Sequence, residues 1–278
     1  MTQIGCNTLY GGGSLGAATD YTVADLKRSL ERNAALGYDT VEYSHLCHLT
    51  CEQAAEVGAC TRNLGMQPWS VHSESAGSFV LGATAEEASA GLLHAVEVCK
   101  SVGATVVVVH APLVRGLSLG DLPDVPSLVQ QDLVGLGEPV ARAAELGVEL
   151  ALENGRTLAH WVYIQALLER INQPHVGACV DAGHANLGDL GAPRAIRMAG
   201  KRLLTLHLHD NLGEVDDHLP PGRGTIDWAE LLAALAEVGY HRTLQLELTD
   251  RAAHREYDQA LEQRQGIENM RRFVAARG

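Results

Sequence analysis

One unit recurs along the chain: a helix-like segment, a glycine, then a short apolar run. It appears as AALGYDTVEY (34–43), RNLGMQPWSVH (62–72), KSVGATVVVVH (100–110), AELGVELALE (144–153) and AEVGYHRTLQLE (236–247). Each glycine sits where a helix needs a left-handed residue to stop, and a strand follows within about two residues. Helix starts are marked too: Thr50 to Gln53, Thr84 to Glu87, Ser127 to Gln130 and Asp227 to Glu230 have capping-box form or a close variant. The pattern predicts eight strands, near residues 3–7, 39–43, 67–72, 105–110, 148–153, 176–181, 203–208 and 243–247, each followed by a segment that can be helical. Alternating strand and helix imply parallel strands joined by right-handed crossovers. Eight such units in 278 residues point to an α/β fold, a single closed (β/α)8 TIM barrel, with a doubly wound open sheet as the competitor. No composition shift or linker marks a boundary, so residues 1–278 read as one barrel domain with a C-terminal helix.

The totals narrow the function classes. Hydrophobic residues make up 46% and charged residues 20%, as in an ordinary soluble protein. A formal charge of −13 repels phosphate backbones and counts against a nucleic-acid partner. Neither a secretory signal nor an apolar run long enough to span a bilayer is visible, and the expected location is cytoplasmic. The six cysteines (Cys6, Cys47, Cys51, Cys60, Cys99, Cys179) are dispersed, without paired CxxC zinc spacing, and read as reduced thiols. Cys47 and Cys51 are the nearest pair and leave a bridge or a metal contact open.

Function in such a barrel sits where inward-facing residues reach the C-terminal rim. In LLTLHLHDN (203–211), Leu204, Leu206 and Leu208 share one side of an extended chain, and Thr205, His207 and His209 share the other. The same parity turns Glu42, His72, His110, Glu153, Asp181 and Glu247 inward at the ends of six other strands, and leaves Trp69 outward against a helix. A lone His or Glu at a strand end is ordinarily a hydrogen-bonded structural residue. Seven on one rim are different, because clustered buried carboxylates repel one another unless something compensates them. A divalent cation resolves that cost, and mixed imidazole and carboxylate ligands suit Zn²⁺, Mn²⁺ or a similar ion.

ALEN (151–154), CVDAGHAN (179–186), LHLHDN (206–211), DDHLPPGRGTIDW (216–228) and GYHRTLQLEL (239–248) come in the order found in the xylose isomerase-like TIM barrels, which the chain resembles over almost its whole length. That superfamily holds sugar isomerases and ketose 3-epimerases, inosose and dehydroshikimate dehydratases, and the endonuclease IV-type AP endonucleases. The resemblance implies a divalent ion (Mn²⁺, Zn²⁺, Mg²⁺ or Co²⁺) held by Glu153, Asp181, His207 and Glu247. It gives Glu153 and Glu247 the acid/base role and His184 a substrate contact. His207 and His209 share parity, and the family pattern of His, two residues, then Asp or Glu favours His207. His72, His110, Asp216 and His218 are further candidates for metal or substrate contact. Together with the four ligands and His184 they would complete a trinuclear zinc set of the nuclease kind, although Asp217 stands where the nuclease signature has Arg. Arg223, Glu42 and Asn154 are candidate substrate contacts.

The implied activity is a metal-dependent isomerase or epimerase of a sugar, ketose or related polyhydroxylated carbonyl compound, working through an enediolate-type intermediate. A dehydratase, an AP endonuclease and a non-catalytic sugar- or metal-binding barrel are the alternatives. The expected partner is a small sugar-like molecule, with no membrane and no nucleic acid; relatives often form homo-oligomers. Among other marked residues, Trp161 and Trp228 read as packing, Arg115 and Arg156 as loop arginines, Gly11-Gly12-Gly13 as a flexible loop, and His94 and His175 as structural.

Overall fold

The computed structural model describes residues 2–9, 21–73, 85–110, 119–249 and 255–277. Eight parallel strands form a ring: β1 (Ile4–Asn7), β2 (Thr40–Tyr43), β3 (Gln67–His72), β4 (Val106–His110), β5 (Glu149–Glu153), β6 (Val176–Asp181), β7 (Leu203–His207) and β8 (Leu244–Leu246). Neighbours follow chain order, and β8 returns to pair with β1. The seam between β7 and β8 is thin: one bridge, Leu208 with Leu246, bonded by Leu208 N to Gln245 O (2.9 Å) and Glu247 N to Leu208 O (3.2 Å). The molecule is a (β/α)8 TIM barrel.

Outside the ring lie α1 (Val23–Leu36), α2 (Cys51–Asn63), α3 (Ala85–Val102), α4 (Val125–Leu146), α5 (Leu158–Ile171), α6 (Ala182–Leu187), α7 (Ala192–Ala199), α8 (Trp228–Glu237) and α9 (Gln259–Arg277). All five glycines of the recurring unit, Gly37, Gly65, Gly103, Gly147 and Gly239, have φ between 67° and 89°. Thr50 and Gln53 make the reciprocal capping box, and Asp227 accepts from Glu230 N. Ser127 does not cap. Helix α4 begins two residues earlier at Val125, with Pro126 in its first turn, where a missing N–H costs nothing. Thr84 and Gly11-Gly12-Gly13 lie outside the described residues.

The core divides as the alternation dictates. Val41, Tyr43, Val71, Val107, Val109, Leu150, Leu152, Val180, Leu206, Leu246 and Leu248 pack outward with the helices. Val106, Val108, Ala151 and Cys179 fill the interior. Two strands break the alternation. The β2–β3 register jumps from Val41↔Pro68 to Glu42↔Ser70, leaving Trp69 as an extra residue. Trp69 therefore points inward, packs on the interior cluster and donates from Nε1 to Thr205 Oγ1 across the barrel at 3.0 Å. The β6–β7 register skips Leu204 in the same way, and Leu204 joins the interior cluster. Both residues were expected outside. Trp161 and Trp228 are buried, in α5 and α8. Among the described residues no helix is long and apolar enough to cross a membrane.

Candidate metal centre

Strand ends, not loops, set the site. Glu153 closes β5, Asp181 closes β6 and caps α6, His207 closes β7, and Glu247 follows β8 directly. One ligand atom from each lies within 4.8 Å of the other three. His207 Nδ1 lies 3.3 Å from Glu247 Oε2, 3.4 Å from Glu153 Oε1 and 3.8 Å from Asp181 Oδ2. This nitrogen is fully buried and makes no hydrogen bond among the described residues. Donors about 2.1 Å from one ion in tetrahedral array stand about 3.4 Å apart, so the spacing suits a shared divalent cation. The donor chemistry, three carboxylates and one imidazole, suits a hard or borderline ion.

The remaining imidazoles surround this group. His110 Nε2 and His72 Nε2 lie 3.0 and 3.5 Å from Glu153 Oε2, a second set of mutually close ligand atoms. Along the β7–α8 connection, Asp216 Oδ2 lies 3.1 Å from His184 Nε2 and 3.7 Å from His218 Nε2. His209 is completely buried and turned inward, as its parity requires; its Nε2 lies 3.1 Å from each oxygen of Asp181 and 4.0 Å from Glu247 Oε2, and with His218 and Glu247 it forms another set of mutually close ligand atoms. Its ring stacks on His218 at 3.9 Å between centroids.

These groups set one another's protonation. Burial works against charge on Glu153, yet His110 and His207 hold its carboxyl well below the ordinary range. Burial pushes Glu247 the other way, up, with His207 and His218 only partly opposing. His218 resists its own burial and rises to about 9 beside Glu247 and Asp216.

The other predicted site residues are placed as follows. Asn154 is buried and ties β5 to β6, accepting from Asp181 N at 2.8 Å and donating to Asp181 O at 3.1 Å. Its carbonyl accepts from His184 Nδ1 at 2.9 Å. Glu42 is fully enclosed against His207 and Ser70. Arg223 reaches Gln265 on α9 (3.3 Å), away from the four-ligand group, while Arg156 lies 3.4 Å from Asp216. Arg115 is outside the described residues. His94 and His175 bond to the carbonyls of Leu49 and Val140.

Asp210 escaped the sequence reading as a functional residue. Its carboxylate accepts from Asn211 N, Gly222 N, Ile226 N and Trp228 Nε1, at 2.9–3.2 Å, and so folds the 210–228 segment that carries Asp216 and His218 to the mouth. The signal was present: an Asp following a strand, ahead of a Gly- and Pro-rich run.

Residues 30–273 match the family model described as xylose isomerase-like TIM barrel. The chain belongs to this family. Among curated relatives, an uncharacterized protein of Sinorhizobium fredii is 34% identical over 110 residues, 38% of this chain and 35% of that protein. A D-psicose 3-epimerase of Ruminiclostridium cellulolyticum is 32% identical over 114 residues, 39% of this chain and 37% of the enzyme. The chain thus matches little more than a third of the length of these two relatives. Among solved structures, D-psicose 3-epimerase with D-tagatose from Clostridium cellulolyticum H10 superposes with a TM-score of 0.76 at 19% identity, covering 99% of both chains. At that identity the likeness is one of fold.

Proposed function

We propose that this xylose isomerase-like barrel is a metal-dependent epimerase or isomerase of a ketose or related polyhydroxylated carbonyl compound. The observation that carries the reading is the convergence of Glu153, Asp181, His207 and Glu247, with an unbonded His207 Nδ1 among three carboxylates. The names of the epimerases among its relatives and structural neighbours support the substrate class.

A divalent cation held by these four residues supplies Lewis-acid stabilisation to negative charge developing on a substrate carbonyl oxygen. The chain's own groups do the rest. Glu153 and Glu247 enter the mouth from β5 and β8, strands separated by two others, so their carboxylates meet a substrate from different directions. One removes the proton from the carbon beside the carbonyl and the other returns one: to the same carbon with inverted configuration in epimerisation, to its neighbour in isomerisation. His184, pinned to Asn154 O and Asp216, is placed to orient a substrate hydroxyl.

The test is a panel of ketoses and cyclitols in D₂O with added Mn²⁺, read by NMR. Deuterium entering one substrate class at the carbon beside its carbonyl supports the reading; retained protons throughout, with metal bound, support a non-catalytic barrel.

A second reading, a trinuclear zinc centre of the AP endonuclease kind, is favoured by the His72–His110–Glu153 group and the contacts of Asp216 with His184 and His218. The net charge of −13 opposes duplex binding. Metal analysis separates the two, at about one ion per chain for the sugar enzyme and about three for the nuclease.

A further inference from the structure

We propose that Glu42 and Ser70 form a buried brace that fixes the ring of His207 with Nδ1 toward the metal centre, making Glu42 a positioning residue and not a substrate contact. The inference rests on the centre proposed above. Glu42 closes β2 and is completely buried. Its Oε1 and Oε2 lie 3.0 and 3.1 Å from His207 Nε2, the ring nitrogen on the far side from the three carboxylates that face Nδ1. Ser70 Oγ donates to Glu42 Oε2 at 2.6 Å, fixing the carboxylate in turn.

The fold contains a device that makes this brace. Two strands in regular register would set Glu42 opposite Trp69. The extra residue in β3 moves the pairing on by one, so Glu42 lies opposite Ser70 with both side chains turned inward. An imidazole has two tautomers and can flip about its outer bond, and only one arrangement puts a lone pair on Nδ1 toward the ligand group. A carboxylate accepting a hydrogen bond from Nε2–H selects that arrangement and raises the ring's basicity as a ligand. Glu42 is completely buried, with its carboxylate against His207 Nε2 and Ser70 Oγ, so its contact with the proposed centre runs through that imidazole.

The experiment measures binding of Co²⁺ and Mn²⁺ to the full chain by calorimetry, with the visible spectrum of bound Co²⁺ as a second readout. Glu42→Gln keeps the shape and removes the charge; its affinity should fall by about 10- to 100-fold, with a shifted Co²⁺ spectrum. Ser70→Ala should weaken binding in the same direction but by less than Glu42→Gln, and carries the test if Glu42→Gln does not fold. Parent-like affinity and spectrum in the variants overturn the brace. A parent chain that binds neither ion overturns the centre itself, and is thereby distinguished from failure of the brace alone.

Discussion

Glu247 and Gly183 show two ways in which a single residue can matter here. Glu247 is proposed as both ligand and proton carrier, and its carboxylate lies within 4.0 Å of His72, His207, His209 and His218. Glu247→Gln keeps the volume and removes the proton-accepting oxygen. Exchange of substrate protons into D₂O should fall by at least about 100-fold, while the thermal midpoint in the absence of metal stays within a few degrees. Near-normal exchange in this variant would remove the acid/base assignment. Gly183 carries no chemistry and makes room for it: a Cβ there would lie 1.9 Å from His209 Cε1 and 2.4 Å from Nδ1. Because the ring is boxed between Asp181 and His218, it cannot simply move aside. Gly183→Ala should cost about 1–3 kcal/mol in denaturant unfolding and weaken Mn²⁺ binding through displaced Asp181. A variant matching the parent in both would show that the ring is free to shift.

Between α4 and α5 lies a titratable group with no part in the proposed chemistry. Asp132 is buried on α4, and Tyr163 on α5 donates its hydroxyl to it. Burial pushes the Asp132 carboxyl up to about 7 from an ordinary 3.8. The folded chain therefore binds this proton more tightly than the unfolded chain, and the associated stability is complete below about pH 4 and lost as pH rises through 7. Asp132→Asn should match the parent near pH 4 and exceed it at pH 8 by on the order of 1–3 kcal/mol, read from urea titrations at both values. Equal stability at pH 8 would mean that the carboxylate is solvated there. Nothing in the sequence marks Asp132, whereas the strands and the convergence of the four strand-end residues were legible from it. The difference is physical. Period-two alternation and helix-stopping glycines are local, so all eight strands emerge within about two residues, and parity carries Glu153, Asp181, His207 and Glu247 to one mouth. Trp69 and Leu204 were misplaced because a one-residue register shift depends on the neighbouring strand and leaves no local trace. Asp132 owes its burial to a helix–helix contact, and the Asp210 network closes through residues 12 to 18 positions away.

The whole barrel has one weak seam, and the candidate centre lies across it. From β1 to β7 each strand pairs with the next through a ladder of several residues, and β8 pairs with β1 over three; β7 meets β8 at the single Leu208–Leu246 bridge. The four proposed ligands come from the ends of β5, β6, β7 and β8, so an ion shared among them ties β8 to its neighbours from above. An ion that binds only the folded chain adds stability by mass action, about 2.7 kcal/mol at 100 times its Kd. In a chain of 278 residues that corresponds to a rise of roughly 5 °C in thermal midpoint. The local effect should be sharper than the global one. Saturating Mn²⁺ should slow hydrogen exchange most at the Leu208 and Glu247 amides, the two N–H groups that bond across the seam, and far less at the β4–β5 ladder. Asp181→Asn, which removes one ligand without touching the seam's own hydrogen bonds, should abolish both the thermal shift and the local protection. Equal slowing across all eight strands would mean that the ion stabilises the barrel as a unit. Slowing confined to the 210–228 segment would place the ion on Asp216 and His218 instead of the four strand ends.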